Sequence, residues 1–180
     1  MKGIIFNLVQ EVVSSEYGAD TWDLLLDESG VDGAYTSLGS YPDDDLHKLV
    51  MAAAQALDTP PADVVRTIGA AAMPLLADRY PDFFVGHDCR GFLLTLNDII
   101  HPEVRKLYPG ADVPDFSYHD SSDDQLIIGY RSDRKLCALA EGFILGAAKH
   151  YGETVELSQD QCMLRGDDRC MIAVTFGSEG

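Results

Sequence analysis

The chain has 180 residues, 46% of them apolar, which is enough for one hydrophobic core and too apolar for a disordered protein. Thirteen Lys and Arg stand against 30 Asp and Glu, a formal net charge of −17. That balance argues against nucleic acid and anionic membrane as general partners, and an anionic ligand would need a local cationic spot.

In chain order, the start "MKGIIFNLVQEVV" superficially resembles a signal peptide. It lacks a small-residue cleavage site, and Gln10 and Glu11 interrupt the apolar run. Ile5, Leu8, Val9, Val12 and Val13 instead have the spacing of one helix face, which predicts a helix over 3–17 ended by Gly18. No stretch is long and apolar enough to span a membrane, so the chain reads as cytoplasmic. Its four cysteines, Cys89, Cys137, Cys162 and Cys170, then read as free thiols or metal ligands rather than structural disulfides. Further helices are predicted over 20–29, with Asp20 as cap, and over 43–57, whose acidic first turn suits the helix dipole. A turn-rich loop over 30–42 separates them. Residues 59–73 show a Pro-assisted helix start, and a short helix is expected between Pro74 and Pro81. The longest candidate helix is 88–108, ended by Pro109-Gly110.

The pattern then changes. Residues 115–120 and 125–131 read as strands of one hairpin, 134–151 as a helix, and 154–164 with 169–176 as a second hairpin around Gly166. Helices come first, then two hairpins flanking one helix. The expected class is α+β with a small antiparallel sheet and no repeats.

Two features carry chemistry. Leu93, Leu96, Ile100, Val104 and Leu107 form an apolar stripe along 88–108, and His101 lies at its edge. A neutral imidazole facing an apolar pocket is a good iron ligand; a half-buried core histidine has the same periodicity. Pro102 directly follows and should kink or loosen the helix there. In "GYRSDRK", Tyr130, Ser132 and Arg134 stand at alternate positions. Together they suit a pair of carboxylates or a phosphate. Taken alone, a strand-to-helix junction with a Ser132 cap and an Arg134 ion pair accounts for them more simply.

Taken together, "MKGIIFNLVQ", the histidine of "NDIIHPEVRKLYPG", Pro114 and Tyr130-x-Ser132-x-Arg134 resemble the H-NOX (heme nitric oxide/oxygen binding) domains, of the stand-alone bacterial type, in order over essentially the whole chain. The resemblance implies about seven helices with a four-stranded antiparallel sheet, and a heme b buried between an N-terminal helical subdomain, 1–60, and a C-terminal subdomain, 61–180. It implies His101 as the proximal iron ligand, the triad as the propionate clamp with Arg134 as counter-ion, and Pro114 as the residue that presses on and distorts the porphyrin. Proline directly after the ligand is a departure from the family. Oxygen-binding members place a tyrosine where this chain has Leu139. With Ile5, Val9 and the alanines of "GAAAM" as further apolar wall, the implied pocket binds nitric oxide and carbon monoxide but holds no stable oxygen. The implied role is a gas sensor, not an enzyme, read by a separate signalling protein such as a histidine kinase or a cyclic-di-GMP enzyme.

Cys162 and Cys170 are symmetric about Gly166. In a hairpin without a bulge their Cβ atoms would lie roughly 5 Å apart. Some members of the family hold zinc with three cysteines and a histidine, which implies a zinc site at Cys137, Cys162 and Cys170, but the histidine position is here Gln159, a poor zinc ligand. Buried free thiols and a redox-formed disulfide remain open, and Cys89 reads as core. The alternative function is a thiol or zinc redox sensor, since "CMLRGDDRC" also resembles the hairpin of 4-vinyl reductase-type ligand-binding domains.

Overall fold

The structure, a computed structural model, describes residues 1–122 and 124–177, the side chains of Asp120 and Ser121 excepted. Among the described residues it has seven α-helices and one four-stranded antiparallel sheet of order β1-β2-β4-β3, so the α+β expectation holds. None of these helices is long and apolar enough to cross a membrane.

α1 (Gly3–Tyr17) presents two apolar faces. Phe6, Val9 and Val13 pack with Trp22 and Leu25 of α2 (Ala19–Ser29), and with Leu46, Leu49 and Val50 of α3 (Asp43–Leu57). Leu8 and Val12 face Ala72 of α4 (Pro61–Arg79). α2 stops at Gly30, whose φ of 67° places it in the left-handed region that favours glycine.

α4 corrects the reading that a helix ends at Met73 and a second, short one follows. It runs unbroken through the exposed Pro74, because packing outweighs the local penalty. Pro74 has no N–H for the Ala70 carbonyl. That carbonyl faces the bare Cα of Gly146 on α7 (Cys137–His150), where a Cβ would come within 2.6 Å of it. A Cβ at Gly142 would meet the Arg66 carbonyl at 2.2 Å. Small residues thus let the two helices approach closely, and the buried Glu141 pairs with Arg66 at 2.7 Å across the same crossing.

The expected long helix over 88–108 is broken. α5 (Cys89–Leu94) leads into a π turn, Leu96–Ile100, then α6 (His101–Leu107). β1 (Asp115–Ser122) and β2 (Gln125–Arg131) form the first hairpin. α7 starts three residues later than predicted, because Lys135 sits at φ 51° in a tight turn after the strand. β3 (Val155–Gln161) and β4 (Cys170–Phe176) form the second hairpin, with an irregularity between Gln159 and Gln161 and a 3₁₀ turn at Met163–Arg165. A second core, centred on Met73, Phe92, Leu126, Ile128, Ile144 and Ile172, fills the space between sheet and helices.

Candidate functional site

A cavity of about 330 Å³ opens between these elements, within the usual range for small-ligand sites. α1 contributes Ile4, Ile5 and Leu8, α4 Met73 and Leu76, and α7 Leu139, Ala140, Phe143 and Ile144. Leu93, Leu96, Ile100, His101 and Val104 line it from the α5–α6 segment, followed by Pro114 and Phe116. Tyr130, Ser132, Arg134 and Asp112 add polar groups. The structure therefore brings His101, Pro114, Tyr130, Ser132, Arg134, Ile5 and Leu139 into one cavity. It does not bring Val9 or the alanines 70–72, which the sequence offered as wall. They belong to the faces turned toward other helices, and Ile4, Leu8 and Met73 line the cavity instead.

His101 has an unusual setting. Its Nδ1 is buried with no hydrogen-bond partner, and among the described residues neither ring nitrogen is bonded. Burial, and then the charge of Arg105, pushes the imidazole pKa down to about 4, so the ring is neutral at neutral pH. Its ring stacks on Phe116, with centroids 5.4 Å apart and planes 21° from parallel. The π turn before it is read directly from the backbone. Thr95 O accepts both Ile99 N–H at 2.9 Å and Ile100 N–H at 3.0 Å, and His101 N–H reaches back five residues to Leu96 O. Pro102 explains the widening: in a regular helix its ring would crowd the Asp98 carbonyl, and one extra residue in the turn relieves that crowding. Two side chains tie the turn and α5 to β1. Asn97 Nδ2 donates to Phe116 O at 2.7 Å, and Tyr118 Oη donates to Leu93 O at 2.8 Å.

The triad is not one strand face. Tyr130 lies in β2, while Ser132 and Arg134 sit in the turn that follows. Tyr130 is 2% exposed. Burial pushes its pKa up to about 12 against hydrogen bonding from Ser132 and Leu136, and Leu136 N–H donates to its oxygen at 3.0 Å. Arg134 is already engaged. Nε donates to Asp43 Oδ2, and Nη1 to Asp112 Oδ2 and Asp112 O, each at 2.9 Å. Asp43 also accepts from the Met1 amino group. Burial would raise the Asp43 pKa, but the bonds from the amino group and Arg134 together hold it below the usual carboxylate value. Nη2 of Arg134 has no partner among the described residues, so one donor edge remains for another anion.

Sequence reasoning missed Phe116, Met73 and Phe143, which have no spacing in common. It also missed the hydroxyls of Tyr80 and Tyr108, which line the cavity and hydrogen-bond each other at 2.6 Å. The cavity is thus not devoid of O–H groups, although these two are engaged with one another.

Elsewhere, Cys137, Cys162 and Cys170 are buried with their sulfur atoms within 4.8 Å of one another. Cys137 Sγ is 3.8 Å and Cys170 Sγ 3.9 Å from Cys162 Sγ, with no disulfide. Burial pushes the Cys137 thiol up to about 12. At Cys162 burial acts the same way, but N–H groups of Leu164 and Arg165 and the neighbouring thiols outweigh it and lower the pKa. Gln159, half-buried on β3, has an unpartnered buried Nε2. Cys89 is fully buried in the core, away from this cluster.

The Haem-NO-binding family profile matches residues 2–159 of the chain. The crystal structure of an H-NOX protein from S. oneidensis in the Fe(II)NO ligation state is 34% identical, covering 99% of this chain and 100% of that one, with a TM-score of 0.92. The NMR structure of an H-NOX domain from Shewanella oneidensis in the Fe(II)CO ligation state gives 34% identity, coverage of 99% and 100%, and a TM-score of 0.89. A mutant H-NOX protein from K. algicida, Fe(II) and unliganded, is 25% identical with coverage of 99% and 98% and a TM-score of 0.88. No curated protein sequence matches the chain.

Proposed function

The chain belongs to the Haem-NO-binding family, and we propose that it is a heme-based nitric oxide sensor, a binding module rather than an enzyme. The observation that carries this reading is the neutral, unpartnered imidazole of His101 in the wall of an apolar cavity. A neutral imidazole carries one nitrogen lone pair, and with no protein donor on either ring nitrogen among the described residues that lone pair is open to a metal. The residues suit heme b: His101 would hold the iron, and Tyr130, Ser132 and the free edge of Arg134 would hold the propionates. Pro114 would press on one face, with Ile5 and Leu139 against the ring system. When bound, the iron supplies the position at which a diatomic gas binds.

The residues supply the rest. Leu139, Ile5, Leu8 and Phe143 offer no donor to a bound gas, which disfavours oxygen and leaves nitric oxide and carbon monoxide. The π turn leaves the His101 segment less regularly wound than an α-helix, so a His101 no longer held by the iron would let α6 shift and would relieve the contact at Pro114. Asp43 of α3 meets Arg134 near the same cavity. We take residues 1–60 and 61–180 as the two subdomains whose relative rotation reports the event to a separate partner, such as a histidine kinase or a cyclic-di-GMP enzyme. The test is the absorption spectrum of the purified protein, with and without nitric oxide. A Soret band that shifts on nitric oxide addition supports the reading, and a protein that takes up no heme overturns it.

A second reading concerns the thiol cluster. Tetrahedral zinc with Zn–S bonds of about 2.3 Å needs sulfur atoms roughly 3.8 Å apart, close to the 3.8 and 3.9 Å found here. We propose zinc on Cys137, Cys162 and Cys170, with the fourth ligand from outside the cluster. Elemental analysis with about one zinc per chain, lost in Cys162→Ser, is the expected result; no zinc above background would leave three buried thiols.

A further inference from the structure

A histidine that ligates a metal through one nitrogen ordinarily has its ring fixed by a hydrogen bond from the other, to a carbonyl or carboxylate. Among the described residues His101 has no such bond. What lies against its imidazole is an aromatic face, the Phe116 ring, 5.4 Å away and 21° from parallel. Phe116 is itself held from two sides. Its carbonyl accepts Asn97 Nδ2 at 2.7 Å, from the π turn that immediately precedes His101. Its ring lies 5.8 Å from that of Tyr130, its ladder partner on β2. One residue of β1 therefore touches the imidazole, the turn that aims it and the buried member of the triad.

We propose that Phe116 is the positioning residue for His101, its ring setting the plane of the imidazole by stacking where a hydrogen bond to Nδ1 would ordinarily do so, and Asn97 fixing the turn beneath. This rests on the reading of His101 as the iron ligand. Two consequences follow from the chemistry. With no acceptor at Nδ1 the ring gains no imidazolate character, and so is a weaker donor to a metal than a hydrogen-bonded histidine. Stacked faces also slide over one another, so the ring can leave the metal without first breaking a directional bond.

The test uses the heme-loaded protein and Phe116→Leu, which keeps an apolar side chain but loses the flat face. The iron–histidine stretching band of the ferrous protein, read by resonance Raman, should shift or broaden, and Phe116→Tyr should restore it. In the His101→Gly background, the affinity of added imidazole should fall by roughly two- to tenfold when Phe116 is also changed to Leu, the range expected for one aromatic stack. Asn97→Leu leaves both rings in place and should broaden the same band, giving a reading even if Phe116→Leu does not fold. A band and an imidazole affinity unmoved by these changes would overturn the proposal. Absence of any iron–histidine band in the unmodified protein would overturn the ligand assignment instead.

Discussion

His101 and Arg134 line the same cavity and are furnished in opposite ways. Among the described residues the His101 ring has no hydrogen bond, and burial holds it neutral. Arg134 is bonded to two carboxylates and a carbonyl, with one edge left over. A buried imidazole without partners is a liability to the folded chain unless a metal takes it. Arg134 needs no ligand to be satisfied. It stabilises the protein as it stands, by joining α3 to the turn after β2. The difference separates a residue whose ring the fold leaves unused from one that the fold already uses.

The largest expected effect breaks the His101 side of this contrast. His101→Gly should lose heme, or keep it only with imidazole supplied, and an unchanged Soret band and heme content would remove the assignment. The same residue makes a prediction for the heme-free protein. Its folded pKa is about 4 against an ordinary 6.5, so between these values the unfolded chain takes up a proton that the folded chain does not. Stability should therefore fall as pH drops from about 6.5 toward 4. Heme-free His101→Leu should lose this component and be more stable by about 1–3 kcal/mol at pH 5. Denaturant titrations at pH 5 and pH 7 check both.

Arg134→Ala tests the other side. Loss of one charge-assisted bond to a propionate is worth about 1.5–3 kcal/mol, so heme transfer to apomyoglobin should quicken tenfold or more. Asp43→Asn sharpens the point, since it weakens the contact with α3 while leaving the Arg134 charge. If it speeds heme loss as much as Arg134→Ala, the arginine acts through the fold alone.

Leu139→Tyr should have a smaller effect, adding a donor on α7 and lengthening the life of the ferrous protein in air severalfold. The engaged hydroxyls of Tyr80 and Tyr108 give an internal control, because a long-lived oxygen complex in the unmodified protein would point to them. Pro114→Ala should be the smallest change. It should move the scattering profile of the ligand-free protein part of the way toward that of the nitric oxide-treated one, with stability within about 1 kcal/mol. Identical profiles in all three states would leave passive binding without a switch.

Much of the fold was legible in the chain. α1 was marked by its apolar spacing and Gly18, α3 by three aspartates in its first turn, and the two hairpins by alternation around turn residues. That His101 and the triad line one cavity was expected from the family resemblance alone, since a core histidine and a strand-end ion pair have the same spacing. α4 was misread at Pro74, since the carbonyl that proline orphans is faced by Gly146, 72 residues on. The 88–108 segment was misread because Pro102 could kink, end or widen a helix, and local rules do not choose among these.

By itself the sequence determined which residues could do chemistry here, a histidine on an apolar stripe, an arginine triad and three late cysteines, because side-chain type is a local property. The tertiary structure alone decided how each is used. It placed Phe116 on the imidazole, left Nδ1 without a partner, and gave Arg134 two aspartates from 22 and 91 residues away. Those are contacts between distant segments, and their existence depends on how α4 packs on α7 and how β1 lies against the π turn, which no local pattern encodes.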